Sequence, residues 1–201
     1  MAQGSTVEAG IKTGNTKIEY LVSACLIGKP CFYDGTSRVN ESVKALFEAG
    51  KAKALCPEEL SGLKTPRPPA EIFGGTGEQV LSGKAFVYNR EGREVTFYFL
   101  NGSRQFLAIA NEYGVRKAVL KARSPCCGIG KIYDGTFSNT LTKGNGVTAA
   151  LLLKNGFEVF SDEAFSKAAA GVRKRTAKKQ LTKEKLSHVS KKAIRAKRKK
   201  R

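Results

Sequence analysis

Three short loops, each placed directly after an apolar segment typical of a β-strand, constrain the fold of this chain most strongly. The apolar segments are residues 18–22, 52–55 and 119–120. All five cysteines lie in the loops that follow them: Cys25, Cys31, Cys56, Cys126 and Cys127. Because the carboxyl ends of parallel strands meet at one edge of a sheet, we expect these thiols to lie close together. Such a cluster predicts a metal or iron–sulfur centre.

Length and composition predict one soluble domain with an additional segment. The chain has 201 residues, of which 41% are hydrophobic, so it can bury a sizeable core. It contains no apolar run near the ~20 residues that cross a bilayer, and no apolar signal core at its start. The odd number of cysteines argues against a closed disulfide framework. We therefore expect an intracellular, cytoplasmic protein with free or metal-bound thiols.

Positive charge is concentrated at the end of the chain. The formal net charge is +19, and residues 171–201 contain fifteen Lys and Arg but one acidic residue, Glu184. This asymmetry predicts a flexible leader over residues 1–16, a domain over 17–170 and a basic tail over 171–201. RNA is a candidate partner of the tail, although the tail has no aromatic residue to stack on bases. Its basic runs also resemble nuclear-import signals, which would apply in a eukaryotic host.

Strand and helix patterns alternate along the central part of the chain. The predicted strands are residues 17–24, 52–55, 117–122 and 157–160, and the predicted helices are residues 37–49, 102–113, 146–154 and 162–169. We also predict a β-hairpin between residues 84–88 and 95–99. Repeated alternation favours an α/β fold, a single three-layer Rossmann-like domain with a mainly parallel sheet.

Several long motifs, in register over about residues 20–163, resemble the thiouracil desulfurase family (domain of unknown function 523). The first is Ser23-Ala24-Cys25-Leu26-Ile27-Gly28, followed by Tyr33-Asp34-Gly35. The second contains Cys56-Pro57-Glu58, and the third runs from Lys121 to Gly128. The leader and the basic tail lie outside this resemblance.

The resemblance implies a [4Fe–4S] cluster that is held by three cysteines and has one iron without a protein ligand. Carried over by position, the ligands are Cys25, Cys56 and Cys127. The roles of Cys31 and Cys126 stay open, and because Cys126 precedes Cys127 directly, the two can exchange places in the ligand set. An open iron is a Lewis acid that can bind a thiocarbonyl sulfur and polarise the attached carbon.

The expected reaction is a non-redox, hydrolytic removal of sulfur from a thiolated pyrimidine or related thioamide, with the sulfur captured on the open iron. The basic tail makes thiolated RNA a candidate extended substrate. Glu58, two residues after Cys56, is the first candidate for the acid or base. Ser124 is a candidate for positioning water, and Asp34, in an ordinary Tyr-Asp-Gly turn, is a third candidate.

Two other classes of function remain open. One is an RNA- or ribosome-associated binding protein with a structural metal site, and the other is a cluster-based sulfur or redox sensor. The only histidine, His188, lies in the tail. The domain therefore has neither a Cys–His nucleophile pair nor a histidine ligand for zinc.

Overall fold

The structure is a computed structural model that describes residues 17–172 and residue 175. In chain order, the elements are β1 (Tyr20–Ser23), α1 (Glu41–Glu48), β2 (Ala52–Leu55), α2 (Pro57–Leu60), β3 (Ala70–Phe73), α3 (Gly77–Leu81), β4 (Phe86–Asn89), α4 (Thr96–Glu112), β5 (Lys117–Leu120), β6 (Lys131–Tyr133), β7 (Leu141–Lys143), α5 (Val147–Lys154), β8 (Glu158–Ser161) and α6, described over residues 162–172. The predicted leader and nearly all of the predicted tail lie outside the described residues.

A four-stranded parallel sheet in the order β2-β1-β5-β8 forms the centre of the domain. Since β1 connects to β2 on one side while the next strand of the sheet, β5, lies on its other side, the chain changes direction between β1 and β5. Ligand sites of open α/β sheets lie at such a point, outside the carboxyl ends of the strands. Ser23 and Leu55 are register partners at the ends of β1 and β2. The loops that contain Cys25 and Cys56 therefore leave the sheet side by side.

Successive side chains of a strand point to opposite faces of the sheet. Apolar side chains therefore lie on both faces, and helices cover each of them. On one face, Leu21 and Leu120 pack with buried residues of α4, α5 and the antiparallel β3–β4 hairpin. On the other face, Val22 and Val119 pack with Val43 of α1, and Phe165 of α6 lies against this second cluster. The predicted three-layer α/β fold with a mainly parallel sheet is confirmed. Among the described helices, none combines the length and apolar character that crossing a membrane requires.

The predicted hairpin between residues 84–88 and 95–99 is present only at its turn. Tyr88 and Glu94 form an antiparallel bridge, and the backbone N–H of Val95 donates to the carbonyl oxygen of Val87 (2.8 Å). The second predicted strand is wrong, because β4 pairs with β3 and residues 96–99 form the first turn of α4. Val, Phe and Tyr in this segment favour a strand intrinsically. However, buried residues recur at helical spacing from this turn onward: Thr96, Phe99, Gly102, Ser103, Phe106 and Ala110. Burial of that stripe against the sheet overrides the local preference.

Close packing between α2 and α4 fixes the position of the loop after β2. A Cβ atom added to Gly102 in α4 would lie 1.8 Å from the carbonyl oxygen of Pro57 in α2. We expect Gly102→Ala to lower the free energy of unfolding by about 3 kcal/mol, since backbone has to move to relieve the clash. Urea unfolding followed by circular dichroism measures this change.

Gly171→Ala is the matched control for this prediction. Gly171 lies in α6, and an added Cβ there would meet nothing within 4 Å. Alanine in an open helical position is neutral or stabilising. Equal unfolding midpoints for the two variants would contradict the proposed packing constraint.

Candidate metal centre

Four of the five cysteines line one small cavity at the carboxyl edge of the sheet. This cysteine cavity has a volume of about 30 Å³. Its lining residues are Ser23, Ala24, Cys25, Cys31, Phe32, Cys56, Pro57, Glu58, Arg67, Lys121, Ser124 and Cys127. The structure thus brings together residues from the loops after β1, β2 and β5, as their positions at strand ends predict.

Local backbone geometry places Cys25 and Cys56 at this edge. Cys25 lies in a 3₁₀ turn, Ala24–Ile27, that ends at Gly28 with a φ of 105°, a conformation that favours glycine. The carbonyl oxygen of Cys25 accepts a hydrogen bond from the backbone N–H of Arg38 (2.9 Å). Cys56 is the N-cap residue of α2, and Pro57 occupies the first helical position.

The loop after β5 is held by Ser124 and by the start of α5. The side-chain oxygen of Ser124 accepts hydrogen bonds from the backbone N–H groups of Cys126 and Cys127, both at 3.1 Å. The backbone N–H of Thr148 in α5 donates to the carbonyl oxygen of Cys126 (2.9 Å). Because the Ser124 oxygen is the acceptor in both bonds, its own O–H can donate toward the cavity.

Cys126 and Cys127 have different surroundings although they are adjacent. Cys127 lines the cysteine cavity. The Cys126 side chain is fully buried, and its Sγ lies 3.2 Å from Oγ1 of Thr148, which in turn lies 2.7 Å from the Ser103 hydroxyl. Burial raises the pKa of the Cys126 thiol well above its ordinary value. Cys126 therefore belongs to a polar contact inside the domain, away from the cavity lining.

The thiols within the cavity contact one another. A hydrogen bond with Cys25 raises the pKa of Cys31 to about 12. A hydrogen bond with Cys31, together with burial, raises the pKa of Cys56. The Sγ atoms of Cys31 and Cys56 and a carboxylate oxygen of Glu59 lie within 4.8 Å of one another. Glu59, whose Oε2 lies 2.6 Å from Nζ of Lys29, was not among the residues that the sequence singled out.

Glu58 forms a largely buried ion pair at the cavity. Its Oε2 accepts a hydrogen bond from Nε of Arg67 at 2.8 Å, and the two side chains are 17% and 9% exposed. Nη2 of Arg67 also donates to the carbonyl oxygen of Cys31 (3.2 Å). Arg67 lies in a Pro-rich loop, residues 62–69, and this one arginine fixes both a carboxylate and a cysteine backbone.

A second, larger cavity of about 560 Å³ adjoins the first. We call it the basic cavity, because its lining includes Arg38, Arg90, Lys121 and Arg123. Four residues line both cavities: Phe32, Glu58, Lys121 and Ser124. A molecule bound in the basic cavity would therefore meet the cysteines through a junction that carries a carboxylate, an ammonium group and a hydroxyl.

Sequence reasoning assigned no role to Lys121. It directly follows β5, and its Nζ lies 3.2 Å from Oδ2 of the buried Asp162 at the start of α6. Asp162 also accepts a hydrogen bond from the backbone N–H of Ala122 (2.7 Å). The only available signal was a basic side chain at the carboxyl end of a central strand.

Asp34 is not brought to the cysteine cavity. Its carboxylate accepts hydrogen bonds from the backbone N–H of Thr36 (2.9 Å) and from Nη2 of Arg38 (2.8 Å) in an exposed turn. Hydrogen bonding to Thr36, with a contribution from Arg38, lowers the pKa of Asp34 to about 2. Arg38 in turn lies over the ring of Phe32, 4.1 Å from its centroid. Asp34 thus supports the wall of the basic cavity from outside its lining.

Comparison with known proteins agrees with this geometry. Residues 20–164 match the family model described as 2-thiouracil desulfurase. The chain is 46% identical over 142 residues to the "Uncharacterized protein YbbK" of Bacillus subtilis (strain 168), across 71% of this chain and 94% of that protein. A solved structure described as "[4Fe-4S]-dependent thiouracil desulfidase TudS" matches with a TM-score of 0.66 and 40% identity, over 78% of this chain and 99% of that chain. The resemblance predicted from the motifs is confirmed, and the chain belongs to the 2-thiouracil desulfurase family.

Proposed function

We propose that this protein is a [4Fe–4S]-dependent desulfurase that replaces the sulfur of a thiolated pyrimidine by oxygen from water. The observation that carries the proposal is the junction between the two cavities. A cavity lined by four cysteines opens through Glu58, Lys121 and Ser124 into a cavity large enough for a small organic substrate.

The donor set of the cysteine cavity fits an iron–sulfur cluster. Its candidate ligands are soft sulfur atoms from three separate loops, and the only histidine of the chain lies at position 188 in the tail. We assign Cys25, Cys56 and Cys127 as the three ligands. When bound, the cluster would supply an iron without a protein ligand as a Lewis acid for the thiocarbonyl sulfur.

Glu58 and Ser124 would direct the attacking water. The carboxylate of Glu58 is held by Arg67 in an orientation fixed by a 2.8 Å hydrogen bond, and it can take a proton from water. Ser124, whose oxygen already accepts two backbone N–H bonds, can donate its O–H to that water or to the substrate. Glu58 thus accepts a proton from the water, and Ser124 donates a hydrogen bond.

Lys121 adds a fixed positive charge at the same junction. Its ammonium group is oriented by Asp162 and is partly buried, with 18% of the side chain exposed. Attack of water on the polarised carbon places negative charge on the substrate, and a positioned cation stabilises that charge more strongly in a site that excludes solvent. Lys121 therefore assists the same step from the junction between the two cavities.

The overall reaction balances without a change of oxidation state. The carbon–sulfur double bond breaks, the water oxygen becomes the new carbonyl oxygen, and sulfur leaves as hydrosulfide together with the protons of water. No reductant or oxidant is consumed. The reaction is therefore a hydrolysis rather than an electron transfer.

The proposal is tested by anaerobic turnover of 2-thiouracil. After reconstitution with iron and sulfide, the expected products are uracil and hydrosulfide in equal amounts, without added reductant. Stoichiometric zinc in the purified protein and no turnover would contradict the proposal. Cys31, Cys56 and Glu59 would then suit a structural metal site, and the RNA- or ribosome-associated function would gain support.

We further propose that the substrate can be part of RNA. The basic cavity has room beyond a pyrimidine ring, and three arginines, Arg38, Arg90 and Arg123, can face phosphate groups. The Lys- and Arg-rich residues 171–201 would extend this positive surface by attracting the RNA backbone.

Removal of residues 176–201 is expected to separate the two substrates. The truncation keeps all of the described part of α6 and removes twelve of the Lys and Arg residues. Turnover of 2-thiouracil should be unchanged, whereas thiolated tRNA should no longer be desulfurated, because phosphate contacts are lost. Sulfide release from each substrate is the measurement. A chain that lacks residues 1–16 is the control, and equal loss for both substrates would contradict the assignment.

A further inference from the structure

The β3–β4 hairpin exposes aromatic side chains that the proposed reaction does not use. Phe73, at the end of β3, is 61% exposed, and Phe86, at the start of β4, is 42% exposed. The two residues are register partners, so their side chains lie next to each other. Phe97, in the first turn of α4, is 69% exposed. We call Phe73, Phe86 and Phe97 the aromatic face.

Phe97 extends the pair across β4. The segment before α4 runs antiparallel along β4, through a bridge between Tyr88 and Glu94. Because Phe97 directly follows this segment, α4 begins beside the end of β4 that carries Phe86. Adjacent exposed apolar side chains of this size mark a binding surface more often than a solvated one.

The aromatic face is continuous with the basic cavity. Side chains alternate along a strand, so Glu71 and Phe73 project from the same face of β3, whereas Ile72 between them is fully buried. Glu71 lines the basic cavity, and its position is about 7 Å along the strand from Phe73. Arg90, directly after β4, lines the same cavity. A chain molecule with one unit in the cavity can therefore place its next unit on the aromatic face.

Arg90 supplies an unpaired positive charge at the cavity end of the hairpin. The other basic residues of the cavity lining each form an ion pair with a carboxylate: Arg38, Lys121 and Arg123. In the described part of the chain, the exposed side chain of Arg90 has no such partner, and its guanidinium lies over the ring of Phe137, 5.6 Å from the centroid. A guanidinium without a carboxylate partner suits a phosphate group.

We propose that the aromatic face and Arg90 bind the nucleotides of RNA that adjoin the thiolated base. This inference rests on the proposed function, in its RNA form. The surface calls for flat apolar groups joined by anionic linkages, and single-stranded RNA contains both, since its bases stack on exposed aromatic rings. The basic residues 171–201 include no aromatic residue. The aromatic face therefore adds the base stacking that the tail lacks.

The test measures binding of a fluorescein-labelled oligouridylate to the full-length holoprotein by fluorescence anisotropy. The double variant Phe73→Leu/Phe86→Leu keeps an apolar surface but loses two rings, so its affinity should fall about 10- to 100-fold with unchanged salt dependence. Its turnover of 2-thiouracil should equal that of the unaltered protein, since neither residue lines the cysteine cavity or the basic cavity. Phe47→Leu is the matched control, because Phe47 is 40% exposed on α1, away from the hairpin, and should leave RNA affinity unchanged.

Arg90→Gln separates charge from stacking. This variant should weaken RNA binding and reduce the slope of log affinity against log salt concentration by about one, because one phosphate contact is lost. An unchanged slope would overturn the role of Arg90.

A crosslinking readout needs no variant. An oligouridylate that contains 5-iodouridine should crosslink to Phe73, Phe86 or Phe97 of the unaltered protein, as mapped by mass spectrometry. Crosslinks confined to residues 171–201 would overturn the inference, and so would equal RNA affinities of the unaltered protein and the double variant. A dimer that sedimentation detects for the unaltered protein but not for the double variant would also overturn it, because a second copy would then cover the aromatic face.

Failure of this inference is distinguishable from failure of the desulfurase assignment. A protein that desulfurates 2-thiouracil but binds no oligouridylate would overturn the RNA inference alone. A protein that binds oligouridylate through the aromatic face but shows no turnover would support the inference about the surface and refute the desulfurase.

Discussion

Alanine at Cys25, Cys56 or Cys127 is expected to abolish both cluster binding and desulfuration. Each of these residues would supply one thiolate to the centre, and each comes from a different loop of the cysteine cavity. Removing one of them leaves an iron without its anchor on that side, so the cluster is no longer held. Iron and acid-labile sulfide should fall from about four per chain to near zero after anaerobic reconstitution.

Cys126 provides an internal control for this expectation. Its Sγ contacts Thr148 in the interior, whereas the neighbouring Cys127 lines the cavity. Cys126→Ser should therefore retain iron, and its hydroxyl can keep the hydrogen bond with Thr148. The opposite result, iron retained by Cys127→Ala and lost by Cys126→Ser, would show that Cys126 is the ligand. The experiment thus decides a choice that two adjacent cysteines leave open in the sequence.

Sequence patterns predicted the parallel sheet well because the information is local. The predicted strand 52–55 is the observed β2, and predicted helix 146–154 differs from α5 by one residue. Residues 96–99 were misassigned because their packing partners are distant in the chain. Phe99, for example, is buried in one cluster with Leu21 and Leu152. No spacing rule encodes such a contact.

The same distinction applies to the site. Cysteines placed directly after predicted strands indicated a common edge, and the structure brings four of them to one cavity. The pairing of Glu58 with Arg67 was not predicted, because Arg67 lies in a Pro-rich loop without periodicity. The nearby Glu71 accepts backbone N–H bonds from Gly135 and Phe137, both at 3.0 Å. Loop conformation, rather than pattern, selects these partners.

Glu58→Gln is expected to reduce turnover by about 10²- to 10⁴-fold while leaving the iron content unchanged. Glutamine has the same shape and can still accept the hydrogen bond from Nε of Arg67, so the loop and the cavity should keep their structure. It cannot take a proton from water at neutral pH. The measurement is steady-state desulfuration of 2-thiouracil, together with iron analysis of the same sample.

The comparison that isolates proton transfer is with Glu163→Gln. Glu163 also pairs with an arginine, Arg123, but its side chain is 49% exposed and lines neither cavity. Loss of an exposed ion pair costs little, so this variant should keep nearly full activity. If Glu58 acts only in the transition state, Glu58→Gln should lower kcat and kcat/KM equally and leave KM unchanged. A raised KM with unchanged kcat would instead make Glu58 a binding residue, and the base would have to be sought elsewhere at the junction.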